Sequence, residues 1–172
     1  ASLRARDLTD QLLAYAGRAS FEQEPVDLGS LVSGIGEILS TVIPPKVTVR
    51  YEIEPDLPLI VADRSQMQQV ALNLFGNACE AIGAERGDVA VRIGRVEIDS
   101  ASASMSTMGP PLKPGPHVYL EIEDTGEGMD AQTRSRIFDP FYTTKGPGRG
   151  LGLSAILGIV RAHSGALQVD SE

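Results

Sequence analysis

Apolar residues recur along the chain with two periods, and the switches between them predict the elements. Leu3, Leu8, Leu12, Leu13 and Tyr15 lie among charged residues in an approximate helical stripe that ends at Gly17. After a polar stretch containing Pro25, Asp27 is placed to cap a helix running to about Val42, with Leu28, Leu31, Val32, Ile35, Ile38 and Leu39 as its apolar face and the Pro44-Pro45 pair as its stop. Val47, Val49, Tyr51 and Ile53 alternate with polar residues as a half-buried strand, and Leu59 to Val61 is a short extended run behind Pro58. Asp63 caps a third helix, Arg64 to about Ile82, whose stripe is Met67, Val70, Ala71, Leu74, Ala78 and Ala81. Strands follow at Asp88 to Ile98 and His117 to Glu123. Between them, Ser100 to Pro116 is rich in Ser, Gly and Pro and reads as a flexible hairpin connection or a mobile loop. A short helix from Asp130 to Arg136, a glycine-rich loop from Thr143 to Gly150, a helix from Leu151 to about His163 and a strand from Ala166 to Asp170 complete the chain.

Hairpin-like strand pairs interleaved with helices imply an α+β domain: a two-layer α/β sandwich with a mixed, mostly antiparallel sheet and helices on one face. Its 172 residues, 42% hydrophobic and 22% charged, suffice for one domain with a core. The first helix, residues 1–19, stands outside the sandwich and reads as the remnant of a neighbouring domain. A chain that opens without Met and stops within a strand reads as a fragment.

Charge and cysteine narrow the classes. A net charge of −8 excludes general attraction to nucleic acid or an anionic membrane, so an anionic ligand needs a local site. The single cysteine, Cys79, forbids an internal disulfide. His117 and His163 lie too far apart in sequence to suggest a zinc cluster, and a reducing, cytoplasmic compartment fits. The longest apolar stretch, Leu151 to Val160, is too short to cross a bilayer, so no membrane contact is expected of this chain.

Three groups of residues carry candidate chemistry. Asn73 and Asn77 are four apart on the third helix and project from one side of it, offering amide oxygens suited to a hard cation; the alternative is that both face solvent. Asp124, followed by Gly126 and Gly128, ends an apolar-alternating strand. A carboxylate buried there accepts a hydrogen bond from an exocyclic amine such as adenine N6 and repels the oxygen of guanine; the alternative is an ordinary turn. The run from Lys145 to Leu153 leads glycine-rich backbone into a helix start, an arrangement that favours phosphate, though a mobile surface loop has the same composition. Between Arg134 and Arg161, Arg134, Arg136, Lys145, Arg149 and Arg161 oppose the single acid Asp139. Neither a Walker-type nor a Rossmann-type glycine pattern is present. Phe138 and Phe141 are expected to pack at the base of the loop, with Thr143, Thr144 and Lys145 facing the phosphates.

In this order, Asn73-x-x-x-Asn77, Asp124-x-Gly-x-Gly128, Phe138-Asp-Pro-Phe141 and Gly148-x-Gly-Leu-Gly152 resemble the N, G1, F and G2 boxes of the catalytic, ATP-binding domain of sensor histidine kinases, within the gyrase/Hsp90/histidine-kinase/MutL superfamily. The likeness covers roughly Asp27 to Glu172. Phe-Tyr-Thr-Thr-Lys145 and Asn77-Ala-Cys-Glu-Ala81 resemble its nitrogen-regulatory subgroup. The resemblance implies a Bergerat ATP site with Asn77 on Mg²⁺, Asp124 on the adenine amine, and Thr143 to Gly150 as an ATP lid. Around the nucleotide it sets Asn73, Gly126, Gly128, Thr143, Thr144, Lys145, Gly148, Arg149, Gly150, Leu151 and Gly152, with Asn73, Lys145 and Arg149 as the catalytic set.

The chain also departs from the pattern. Hydrolytic relatives carry Glu where Asn73 stands, and an amide is a poor general base, which favours a kinase over an ATPase. Glu80 occupies a position that is Lys in many members. Neither His117 nor His163 matches the phosphoacceptor, so the implied nucleophile is a histidine on a dimerisation domain that this sequence lacks. The implied partners are that domain, a response-regulator receiver and a second protomer of a homodimeric parent, itself soluble or membrane-anchored. The competing functions are an ATP-binding pseudokinase or interaction module, and an ATPase of the same superfamily.

Overall fold

The computed structural model describes residues 22–39, 43–99, 108–144 and 150–172. The expected helix of residues 1–19, the end of the second helix at Val42 and the first half of the Ser100 to Pro116 span lie outside the described residues. So do Lys145, Gly148 and Arg149 of the glycine-rich loop. The described chain forms two compact units, residues 22–99 with 113–128, and residues 108–112 with 129–172.

The first unit contains β1 (Glu24–Val26), α1 (Leu28–Leu39), β2 (Val47–Ile53), β3 (Ile60–Ala62), α2 (Arg64–Ile82), β4 (Gly87–Ile98) and β5 (Gly115–Asp124). A three-stranded sheet runs β2-β4-β5, and β1 and β3 form a two-stranded antiparallel ribbon. β4 is parallel to β2, since the crossover through β3 and α2 returns the chain in the same direction, and antiparallel to β5, which the hairpin connection delivers reversed. The sheet is therefore mixed, as the sequence predicts.

Side-chain alternation decides which face is the core. Val89, Val91 and Ile93 of β4 are almost completely buried, and they cluster with Leu31, Val32 and Ile35 of α1 and with Ala71, Phe75, Ala78 and Ile82 of α2. Val118, Leu120 and Ile122 of β5 pack against this cluster. The opposite face is polar. There Arg92 stands directly between Glu52 and Glu121, its register partners on β2 and β5, and bonds to Glu52 at 3.0 Å, to Glu123 at 2.7 Å and to Glu121. Three carboxylates around one guanidinium hold its pKa above the ordinary arginine value. The helices thus line one face and charge covers the other, giving the two layers expected.

Both predicted caps form. Asp27 Oδ1 accepts the Ser30 N–H at 3.0 Å, and the hydrogen bonds from Ser30 lower its pKa. Asp63 caps α2, which has the predicted limits. Three details differ from expectation. β1 was not predicted, because Pro25 breaks any apolar alternation and the strand exists through its pairing with β3. In α2, Phe75 and Ile82 are buried where Leu74 and Ala81 were expected, a rotation of the stripe that still keeps Val70, Ala71 and Ala78 inside. β5 begins at Gly115 rather than His117, since the ladder with β4 continues to Ile98.

The second unit contains α3 (Ala131–Arg136) and α4 (Gly152–Ala162). Asp130 caps α3, accepting the Thr133 N–H at 2.6 Å, a bond that lowers its pKa. His163 is the C-cap of α4, with its Nδ1 2.8 Å from the Ile159 carbonyl, which fits the helix-terminal reading of this residue. The predicted strand from Ala166 to Asp170 reduces to one bridge, Leu167 with Met108, because alternation makes a strand only where a partner edge continues beside it. No helix among the described residues is long and apolar enough to cross a membrane.

Candidate functional site

α2 is fixed at both ends. Asp63 Oδ1 accepts the Gln66 N–H at 3.0 Å and the Ser65 hydroxyl at 2.6 Å, and its Oδ2 accepts the Glu22 N–H at 3.1 Å. Burial pushes this carboxyl up, but the hydrogen bonds outweigh it and hold the pKa below its ordinary value. At the other end Gly83 takes φ 62° as C-cap, and its carbonyl accepts the Lys46 ammonium. With Val70, Ala71, Phe75, Ala78 and Ile82 turned into the core, Asn73 and Asn77 lie together, one turn apart and half-buried. The Nδ2 atom of each is buried and has no hydrogen-bond partner. A buried amide left unpaired costs about 1–3 kcal/mol, so two in succession on one helix call for a ligand. Turned by 180°, the same amides present oxygens.

The turn after β5 is built against the end of this helix. Gly126 N–H donates to Asp124 Oδ1 at 2.9 Å, occupying one carboxylate oxygen and fixing the carboxylate's orientation. A Cβ on Gly126 would fall 2.5 Å from the Ala81 carbonyl carbon and 2.7 Å from its oxygen, so glycine is required by close approach of two backbones. Next to it, Glu127 N–H donates to the Ala81 carbonyl at 3.2 Å. Gly128 has φ 64°, the left-handed region. The turn is also bonded to β4: Thr125 N–H donates to the Asp88 carbonyl at 3.2 Å, and Asp88 N–H donates to Thr125 Oγ1 at 3.0 Å. Burial raises the Cys79 thiol pKa, and the charges of Asp124 and Glu80 raise it further, which sets the Asp124 carboxylate within electrostatic reach of α2. Asp124 itself is exposed, not buried as the adenine argument supposed, because it stands at the very end of β5, in the last ladder pair, with Val89.

In the second unit, Ile137 is buried and Phe138 half-buried, but Phe141 is 65% exposed with φ 68°. Phe141 is therefore not the core anchor expected. Its backbone is what closes the loop: Phe141 N–H donates to the Gly150 carbonyl at 2.9 Å. Gly150 has φ 104°, and a Cβ there would meet the Tyr142 carbonyl oxygen at 2.6 Å. Tyr142 is held beneath Arg136, 4.3 Å from guanidinium carbon to ring centroid. Thr143 is half-buried and Thr144 exposed. Leu151 is the N-cap of α4 and supplies no side-chain cap, so the N–H groups that begin at Gly152 have no side-chain acceptor from it.

The model of the family described as histidine kinase-, DNA gyrase B- and HSP90-like ATPase matches residues 62–172. The chain belongs to this family. It is 34% identical over 172 residues to the sensor kinase CckA of Brucella abortus (strain 2308), covering 98% of this chain and 18% of that protein. It is 29% identical to the sensory histidine kinase/phosphatase NtrB of Rhizobium leguminosarum bv. phaseoli, covering 98% of this chain and 43% of that one. The solved catalytic domain of the histidine kinase ThkA superposes with a TM-score of 0.62 at 25% identity, covering 81% of this chain and 80% of that domain. The chain thus spans less than half the length of these curated relatives and most of the length of an isolated catalytic domain.

This is a histidine-kinase-type ATP-binding catalytic domain with the Bergerat fold. Its matched region begins at Ala62, next to the cap of α2, and contains both asparagines, the Asp124 turn, the loop stem and α4. Among the described residues no three His, Cys, Asp or Glu side chains gather into a metal cluster. Two contributors went unnoticed in the sequence. The Ala81 carbonyl and Thr125 hold the Asp124 turn, and of these Thr125 alone had a visible signal, a hydroxyl between two turn-forming residues.

Proposed function

We propose that this domain binds Mg²⁺·ATP and transfers the γ-phosphoryl group to a histidine on a dimerisation domain of its parent protein. The observation that carries the reading is the pair of buried, unpartnered amides of Asn73 and Asn77, on the helix whose end is bonded to the Asp124 turn. Asp124 accepts a hydrogen bond from the adenine amine through the carboxylate oxygen that Gly126 leaves open. Asn77 offers its amide oxygen to Mg²⁺, and Asn73 lies beside it. Gly128 lets the backbone approach the nucleotide closely. The phosphates are assigned to Thr143, Thr144, Lys145, Gly148, Arg149 and the N–H groups at Gly150, Leu151 and Gly152. When bound, Mg²⁺ neutralises phosphate charge and orients the γ-group.

The transfer asks little covalent chemistry of the protein. The histidine nitrogen forms a bond to the γ-phosphorus as the bond to the β,γ-bridging oxygen breaks, and ADP leaves with that electron pair. Asn73, Lys145 and Arg149 hold and stabilise the phosphoryl group, while orientation supplies the rest. An amide at Asn73 cannot activate water well, which favours transfer over hydrolysis. The proposed partners are the dimerisation domain, a response-regulator receiver and, in the parent, a second protomer.

The test mixes the chain with a separately prepared dimerisation hairpin and γ-labelled ATP. Acid-labile, base-stable label on a hairpin histidine is the expected result. Absence of label with ATP binding intact points to a pseudokinase, and rapid phosphate release by the chain alone points to an ATPase. Either outcome overturns the kinase reading.

A further inference from the structure

The ladder between β4 and β5 ends in an unusual exchange. Asp124 pairs with Val89 as the last regular partners, and one step further Thr125 N–H donates to the Asp88 carbonyl at 3.2 Å as a strand residue would. The return bond comes from a different acceptor: Asp88 N–H donates to the Thr125 side-chain hydroxyl oxygen, at 3.0 Å. A hydroxyl standing in for a strand acceptor satisfies the β4 donor and leaves the main chain free to turn. The freed chain turns at once onto α2, where Gly126 lies against the Ala81 backbone and Glu127 N–H bonds to the Ala81 carbonyl. That turn also brings the Gly126 N–H onto Asp124 Oδ1. A Cβ on Gly87 would fall 2.8 Å from Thr125 Oγ1 and 2.8 Å from the buried Ile82 side chain, so glycine there serves the core as well as the hydroxyl.

We infer that Thr125 is a positioning residue for purine selection: its hydroxyl sets the turn that orients the Asp124 carboxylate. The inference rests on the proposed role of Asp124 toward adenine. Without the hydroxyl, the turn must be ordered when ATP binds. Affinity for ATP then falls, while affinity for GTP, which gains nothing from Asp124, does not. One hydrogen bond of this kind corresponds to about a fivefold change.

The experiment titrates the chain with ATP and with GTP, each with Mg²⁺, in the wild type and in Thr125→Val and Thr125→Ser, with thermal unfolding recorded for each. Expected is a preference for ATP that falls about fivefold in Thr125→Val at an unchanged melting temperature and returns in Thr125→Ser. Thr125→Ala replaces Thr125→Val should the latter fold poorly. A wild type that prefers ATP and a hydroxyl-free variant with the same preference overturn the inference alone. A wild type without preference overturns the assignment of Asp124 on which it rests.

Discussion

Two phenylalanines show how differently the two units of this chain are held. Phe75, on α2, is 5% exposed within a cluster drawn from two helices and the sheet. Phe141, at the stem of the glycine-rich loop, is 65% exposed and sits in a left-handed backbone conformation. The first unit fixes its candidate ligand groups through capped ends, a packed stripe and backbone bonds between helix and turn. In the second, the Phe141 N–H to Gly150 carbonyl bond closes the loop, and glycine conformation allows it. Recognition of a flat, rigid group, as proposed for the Asp124 turn, suits the former.

Substitutions can break this contrast. Phe75→Ala is expected to cost about 3–5 kcal/mol of unfolding free energy, measured in denaturant, as a large buried ring is lost. Gly126→Ala forces a methyl group into the Ala81 backbone. It is expected to cost about 1–3 kcal/mol and to weaken ATP binding with it, whereas Gly150→Ala weakens binding with little change in global stability. Asp63→Ala removes the cap of α2 and is expected to cost about 1 kcal/mol at neutral pH. Because the folded pKa of Asp63 lies below its ordinary value of 3.8, its contribution is complete above that value and fades as pH falls through the lower, folded one. The wild type and Asp63→Ala should therefore converge in stability in acid. Phe141→Gly sits at the small end. Loss of an exposed ring and relief of a left-handed backbone nearly cancel the added chain entropy, leaving a change of about 0.5 kcal/mol or less. A cost near that of Phe75→Ala would erase the contrast.

The sequence carried what depends on local chemistry. The limits of α2 followed from Asp63 at one end and from a stripe long enough to leave no rival period. Asp27 was legible as a cap for the same reason, since the side chain and the N–H it accepts are three residues apart. What depends on a partner far along the chain was not legible. β1 exists because Ile60 to Ala62 pairs with it, and the strand expected at Ala166 is one bridge, with Met108 its partner among the described residues. The same division runs through the site. The residue types and their order suggested adenine, magnesium and phosphate. The burial of the two Asn Nδ2 atoms, the exposure of Asp124 and the collision that forbids a side chain on Gly126 emerged from packing between α2 and β5.

The central claim is that Asp124 reads the amino edge of adenine in a site that also takes magnesium, and paired calorimetric titrations test it most directly. ATP with Mg²⁺ should bind the chain well above GTP with Mg²⁺, and Asp124→Asn should lower ATP affinity roughly tenfold to a hundredfold without lowering the weak GTP affinity, since the amide no longer repels the guanine oxygen. Equal affinity for the two nucleotides in the wild-type chain, or ATP affinity untouched by Asp124→Asn, would contradict the account.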